Sequence, residues 1–276
     1  MTSAVSPASA VSPASPGERD GSVVRVAAVG DIHLSPDCRG LLRPSFETLP
    51  LCADLLLLAG DLTRHGTVPE AQVVAEEVRD LGVPVVAVLG NHDYHSGREA
   101  DVTGVLTEAG VTVLEGGHVI LPVAGGTVGV AGAKGFCGGF AGRSAGEFGE
   151  REMKEFVRAA HRAAEGLHRA LTEVSADGCA ASIALTHFAP VPDTLAGEPV
   201  ELYPFLGSYL LAEAIDEAGA DLAVHGHAHL GTEHGMTAGG VRVRNVAQPV
   251  IGRAFALYHL PLAARTSDAG QTSDRT

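Results

Sequence analysis

From Ser22 onward, short apolar runs alternate with amphipathic stretches. Val23–Val29, Asp54–Ala59, Val83–Leu89, Ser182–Thr186 and Leu222–Val224 are mostly Val, Ile, Leu and Ala, without a polar residue at every second position. A strand with one wet face would alternate, so these runs predict strands covered on both faces. Between the second and third run, Thr67 and Glu70 have capping-box spacing and Val73, Val74, Val78 and Leu81 form an apolar stripe. Gly82 and Pro84 close that segment, which predicts a helix and hence a βαβ unit with a parallel sheet. Val111–Leu114, His118–Leu121 and Thr127–Ala131 are separated by Gly-Gly or Pro-containing turns and predict consecutive strands. A long helix follows, with Met153, Phe156, Val157, Ala160, Ala164, Leu167, Leu171 and Val174 on one face. Val241–Val246 and Ala254–Leu260 predict two last strands. The pattern as a whole points to an α/β fold with two sheets packed together rather than one doubly wound sheet.

The two ends break this pattern. Residues 1–22 repeat AVSPAS at Ala4–Ser9 and Ala10–Ser15, and lack both the basic start and the apolar stretch of a secretory signal. Such a composition cannot bury a core, so 1–22 is expected to be a disordered lead and 263–276 a disordered tail. Residues 23–262 then form one domain. No run approaches the roughly 18 apolar residues needed to span a bilayer. Nineteen basic against 33 acidic residues give a net charge of −14, which argues against extended nucleic acid and anionic lipid as partners. Any phosphate must therefore be gripped locally. Cys38, Cys52, Cys137 and Cys179 form no Cys-x-x-Cys pair, which indicates neither a disulfide framework nor a thiolate zinc site. That cysteine usage suits a reducing, cytoplasmic compartment.

Candidate chemistry gathers where the apolar runs stop. The runs lead into Gly30-Asp31-Ile32-His33, Gly60-Asp61, Gly90-Asn91-His92-Asp93, Thr186-His187 and His225-Gly226-His227-Ala228-His229. In parallel α/β folds the carboxyl ends of strands form one ligand-binding rim, so five strands would deliver Asp, His, Asp, Asn and three His to one edge. Oxygen and imidazole donors without thiolate suit Mn, Fe, Zn or Co. Seven donors are too many for one ion with an open position and about right for two ions sharing a carboxylate.

These five blocks, in order and rough spacing, resemble the signature of the calcineurin-like metallophosphoesterases and span nearly all of the domain. The resemblance implies a four-layer α/β/β/α sandwich of two mixed sheets flanked by helices. It also implies two divalent metal ions, with Asp31, His33 and His229 on one, Asn91, His187 and His227 on the other, and Asp61 bridging. His92 matches the family's second-sphere histidine, which protonates the leaving group or steadies the phosphoryl oxygens. Asp93 joins it at the catalytic turn, where it is expected to fix the Asn91–His92 geometry. Thr186 stands where many members have Gly or an apolar residue. The implied activity is hydrolysis of a phosphate mono- or diester, a small nucleotide among the candidates, by a metal-activated hydroxide.

A lone His at a strand end is more often structural than functional, since pockets are few per protein. His161 and His168 on the long helix read as surface residues, and His225 has no assigned role. Substrate contacts are expected from Arg64 and His65 after Asp61, and from Lys134 and Phe136 in the Gly-rich loop Ala133–Phe140. A Pro-rich stretch, 188–209, is too long for a plain link and reads as a cap over the metals that presents Tyr203 or Phe205. Two other functions fit the same fold. A non-catalytic scaffold would retain metals for structure, although such relatives usually lose ligands. A nuclease would use the same two-metal chemistry but lacks basic clusters for a strand.

Overall fold

The computed structural model describes residues 21–140 and 142–263, so the segments expected to be disordered lie almost wholly outside the described residues. In chain order, β1 (Val23–Val29) is followed by two one-turn helices, α1 (Arg43–Phe46) and α2 (Leu49–Cys52), then β2 (Leu55–Ala59), α3 (Val68–Val78), β3 (Val85–Val88), α4 (Glu99–Glu108) and β4 (Val111–Val113). Next come β5 (Gly117–Val123), β6 (Gly126–Ala133), a small hairpin of β7 (Gly139–Phe140) and β8 (Arg143–Ser144), the long α5 (Arg151–Ala176) and β9 (Ala181–Thr186). The chain closes with α6 (Tyr203–Leu206), α7 (Tyr209–Ala218), β10 (Leu222–His225), β11 (His234–Met236), β12 (Arg242–Asn245), α8 (Gln248–Ile251) and β13 (Ala256–Pro261).

Two main sheets result. One has the order β13-β1-β2-β3-β4, parallel except for β13, and the other β11-β12-β10-β9-β6-β5, with parallel pairs in the middle and antiparallel strands at both edges. Successive side chains on a strand point to opposite faces, and the buried residues divide accordingly. Val24, Val26, Ala28, Leu55, Leu57, Val86 and Val88 pack against Val128, Val130, Ile183, Leu185 and Val224 between the sheets. Their neighbours Ala27, Val29, Leu56, Leu58 and Ala87 face the other way, against Phe46, Val73, Val74, Val78, Val102 and Leu106 of the first helical layer. Ala131, Ala184, Ala223 and Val243 likewise meet Leu167, Leu171, Leu211 and Ile215 of α5 and α7. Two buried faces explain why the strand runs do not alternate in the sequence, and the layers are α/β/β/α.

The structure corrects some details. The strands expected to be consecutive are split: β4 closes the first sheet, and Glu115-Gly116 carries the chain across to β5 in the second. Helix α3 stops at Val78, short of Gly82, while the predicted capping box is present, with Glu70 Oε2 accepting from the Thr67 N–H at 3.2 Å. Helices α4 and α7 and strand β11 are additions to the sequence reading. All four cysteines are free; only Cys137 is fully buried.

Candidate metal centre

The loops after β1 and β2 run side by side. The Asp31 N–H donates to the Gly60 carbonyl (2.9 Å), His33 N–H to Asp61 (3.0 Å) and Leu34 N–H to Leu62 (2.9 Å). This zipper brings the two loop tips into register at the strand ends. The loop after β10 joins them, because the His227 N–H donates to the Asp31 carboxylate at 2.9 and 3.0 Å. It also joins the loop after β9, through Gly226 N–H to the His187 carbonyl (3.2 Å). Glycine is required where these loops cross. A Cβ on Gly90 would lie 2.1 Å from Asp61 Oδ1, and one on Gly226 2.3 Å from Asp31 Oδ2. Asp31 (φ 55°), His33 (40°), Asp61 (49°) and His227 (72°) adopt left-handed backbone, which side-chain-bearing residues avoid. Strain of this kind, of order 1–3 kcal/mol per residue, persists where the surroundings over-determine it and clusters at functional sites.

The seven predicted ligands do converge. Asp31, His33, Asp61 and His229 place ligating atoms within 4.8 Å of one another, and so do Asp61, His187 and His227. Asp61 alone belongs to both groups. Asn91 joins the second, its Oδ1 2.9 Å from His187 Nε2. Asp61 Oδ1 lies 3.4 Å from His187 Nε2 and its Oδ2 3.8 Å from His33 Nε2. The donor set fits divalent cations in its chemistry and its state. His33 Nε2 is buried and has no hydrogen-bond partner among the described residues, an orphan that a cation would satisfy. Burial lowers the pKa of His33 to about 4 and of His187 and His227 to about 3, so the rings are neutral, as ligation requires. Burial raises Asp31 to about 6, against the hydrogen bond from His229 (2.9 Å). His187 Nδ1–H donates to the Ala59 carbonyl (2.9 Å), which fixes its tautomer and leaves Nε2 for a metal.

The residues around this centre take distinct roles. His92 donates from Nδ1 to the Arg64 carbonyl (2.7 Å), its backbone N–H donates to Asp61 Oδ1 (2.8 Å), and its Nε2 lies 4.0 Å from Asp61 Oδ2. The ring is therefore aimed at the centre from its open side. Asp93 is fully buried below the loop. Its carboxylate accepts from Gly90 N–H (2.8 Å), Leu62 N–H (3.2 Å), Thr63 N–H (2.8 Å) and Thr63 Oγ1–H (2.5 Å). In that place it ties the Asn91–His92 turn to the Asp61 loop, the geometric role expected of it beside His92.

Among the expected substrate contacts, Arg64 is exposed and close enough for its charge to oppose protonation of His33. His65 is turned away, its Nδ1 3.0 Å from Glu70 Oε1. Phe136 is partly buried and packs edge-on against Phe156 at 5.3 Å and tilted against Phe188 at 6.0 Å, as one wall of an aromatic group. Lys134 sits beside it, its charge acting on Asp61 and His187. Tyr203 lines a separate cavity of about 480 Å³ with Phe140, Arg143, Glu201 and Pro204. The 188–209 stretch meets the candidate ligands through Phe188, whose ring centroid lies 4.5 Å from that of His227, and through Phe205, whose carbonyl lies 3.4 Å from His227 Nε2.

Two supports were not legible in the sequence. His225 is fully buried; its Nδ1–H donates to the Gly226 carbonyl (2.7 Å) and its Nε2 takes the Thr194 hydroxyl (2.8 Å). Asn245 at the end of β12 donates from Nδ2 to the Ala228 carbonyl (2.8 Å). Both hold the His227–His229 loop, and only their position at strand ends hinted at it.

Comparison with known proteins agrees with this geometry. The calcineurin-like phosphoesterase family pattern matches residues 24–231. A probable cyclic nucleotide phosphodiesterase of Synechococcus sp. is 33% identical over 84 residues, 27% of this chain and 33% of that protein. A symmetrical bis(5'-nucleosyl)-tetraphosphatase of Thioalkalivibrio sulfidiphilus is 43% identical over 72 residues, 25% of each chain. The chain thus spans a third or less of the length of these relatives. Among solved structures, TT1561 of Thermus thermophilus superposes with a TM-score of 0.51 at 18% identity, over 81% of this chain and 88% of that one, which shows a common fold. No helix among the described residues is long and apolar enough to cross a membrane. With the family pattern covering most of the domain and its five blocks meeting at one rim, the chain belongs to the calcineurin-like phosphoesterase family.

Proposed function

We propose that this protein is a metal-dependent phosphoesterase that hydrolyses a small phosphate ester, of the nucleotide type, at a centre holding two divalent cations. The observation that carries the reading is the membership of Asp61 in both donor groups. One carboxylate shared between two sets of imidazole donors is what a pair of ions needs to sit side by side. When bound, such ions polarise phosphoryl oxygens and supply a nucleophilic water at neutral pH.

The chain's own residues do the rest. Asp31 and Asp61 contribute −2, so cations would leave a locally positive floor in an acidic protein. His92, with Nδ1–H committed to the Arg64 carbonyl, holds any second proton at Nε2, on the side of Asp61. That proton is available to a departing oxygen, the usual work of a general acid. Asp93 keeps the turn that carries Asn91 and His92 in register with Asp61. The matched relatives are named for nucleotide substrates, which supports the substrate class.

The test is release of nitrophenol from 4-nitrophenyl phosphate and bis(4-nitrophenyl) phosphate by chelated protein reloaded with Mn, Fe, Zn or Co, with metal content measured in parallel. Activity should return with metal and vanish in Asp61→Ala and Asn91→Ala. A well-folded, fully loaded protein inactive on a broad panel of phosphate esters would sink the reading in favour of a scaffold.

A further inference from the structure

Lys134 stands at the end of β6, next to the end of β9. Its carbonyl accepts from both the His187 N–H (3.0 Å) and the Phe188 N–H (3.1 Å), so its backbone is bonded to that of a candidate ligand. Three rings surround its ammonium: Nζ lies 5.0 Å from the centroid of Tyr94, 5.3 Å from Phe136 and 5.1 Å from Phe188. Tyr94 follows Asp93 and Phe188 follows His187, so two walls of the cage are extensions of the site's own motifs. Lysine ammonium groups ordinarily reach for water. This one is held in by the rings, at the side of the centre formed by His187 and Asp61.

Its hydrogen-bonding capacity is barely used. Nζ donates to one acceptor, the Gly135 carbonyl at 3.2 Å. The nearby Glu115 carboxylate accepts from the Lys134 backbone N–H (3.1 Å) rather than from the ammonium. Among the described residues no carboxylate pairs with Nζ. A partly buried cation with open donors, fixed by aromatic walls beside an anion-binding centre, is suited to receive an anionic oxygen.

Resting on the phosphoesterase reading above, we infer that Lys134 is a specificity residue for a terminal, dianionic phosphoryl group. A diester has two unesterified oxygens, which a pair of cations can neutralise. A monoester or the end of a polyphosphate has a third, and the Lys134 ammonium supplies its partner. The cage keeps that positive charge in place at little further entropic cost on binding.

The test uses the metal-loaded protein and Lys134→Met, which keeps length and bulk within the cage and removes the charge. Calorimetry with inorganic phosphate and with dimethyl phosphate reads the two charge states without catalysis. In the variant, phosphate affinity should fall about tenfold or more, the scale of one charge-assisted hydrogen bond, while dimethyl phosphate changes by less than about twofold. The kcat/KM values for 4-nitrophenyl phosphate and its bis ester should split the same way, with metal content unchanged. Lys134→Arg should recover most of the phosphate affinity. Equal losses for both probes, no loss for either, or loss of metal would each overturn the assignment. If Lys134→Met fails to fold, Lys134→Gln and Lys134→Arg decide by the same ratio. A wild-type protein that hydrolyses no ester defeats the earlier reading, whereas an active one with no split between probes defeats this inference alone.

Discussion

The two donor groups of the candidate metal centre are built differently. Asp31, His33 and His229 form a group with the shared Asp61 that contains two carboxylates. His187, His227 and Asn91 have only Asp61 for negative charge, and the Lys134 ammonium acts on this half. The first half therefore offers a divalent cation a net charge of −2 and the second −1 at most, opposed by a nearby positive charge. Charge at contact distance dominates such comparisons even after screening. The first half should fill first and hold its ion through dialysis. The second is the half where substrate charge matters most to occupancy.

The largest test of this asymmetry removes what the halves share. Asp61→Ala should abolish stable binding at both, with turnover lower by well over about a hundredfold, the most that losing an outer partner of a metal ligand costs. Elemental analysis and nitrophenol release check it together. Next, His92→Ala should lower kcat by roughly 100-fold, within the range of lost acid–base assistance, and leave the metal content intact. A variant that lost metal instead would place His92 among the supports of the centre. A carboxylate added to the poorer half, Asn91→Asp, should raise its affinity for Mn by about tenfold and narrow the gap between the two binding steps in a titration. Binding steps that stay as far apart would show that something other than charge sets them. The smallest change, Thr194→Val, leaves His225 Nε2 without its donor under the loop that serves both halves. It should cost about 1–3 kcal/mol in urea unfolding, with both metal affinities weakened alike.

What could be read in the sequence follows the same division between backbone and side chains. The runs ending at Val29, Ala59 and Thr186 were legible because burial on both faces leaves no polar alternation to misread. The candidate ligands were legible because each stands at or just after the end of such a run. Helix α4 was not, since only Val102 and Leu106 are buried in it and Gly104 interrupts the stripe. Nor was the change of sheet at Glu115-Gly116, because a strand reads alike in either layer. The left-handed backbone at Asp31, His33, Asp61 and His227 leaves only a faint mark in residue type, since Asp and His tolerate it better than most side chains but usually stand elsewhere. The cage around Lys134 draws on positions 94, 136 and 188, which only the folded sheets bring together.

The closure of the first half by Asp31 and His229 has a bearing on how the protein matures. These residues are 198 positions apart, and their side chains meet at 2.9 Å only when β1 of the first sheet and β10 of the second are both in place. Bringing such remote segments together is a late and slow event on a folding route. No early fragment of the chain can assemble that pocket, so on the two-cation reading proposed above, uptake of an ion there would report that the polypeptide has finished folding.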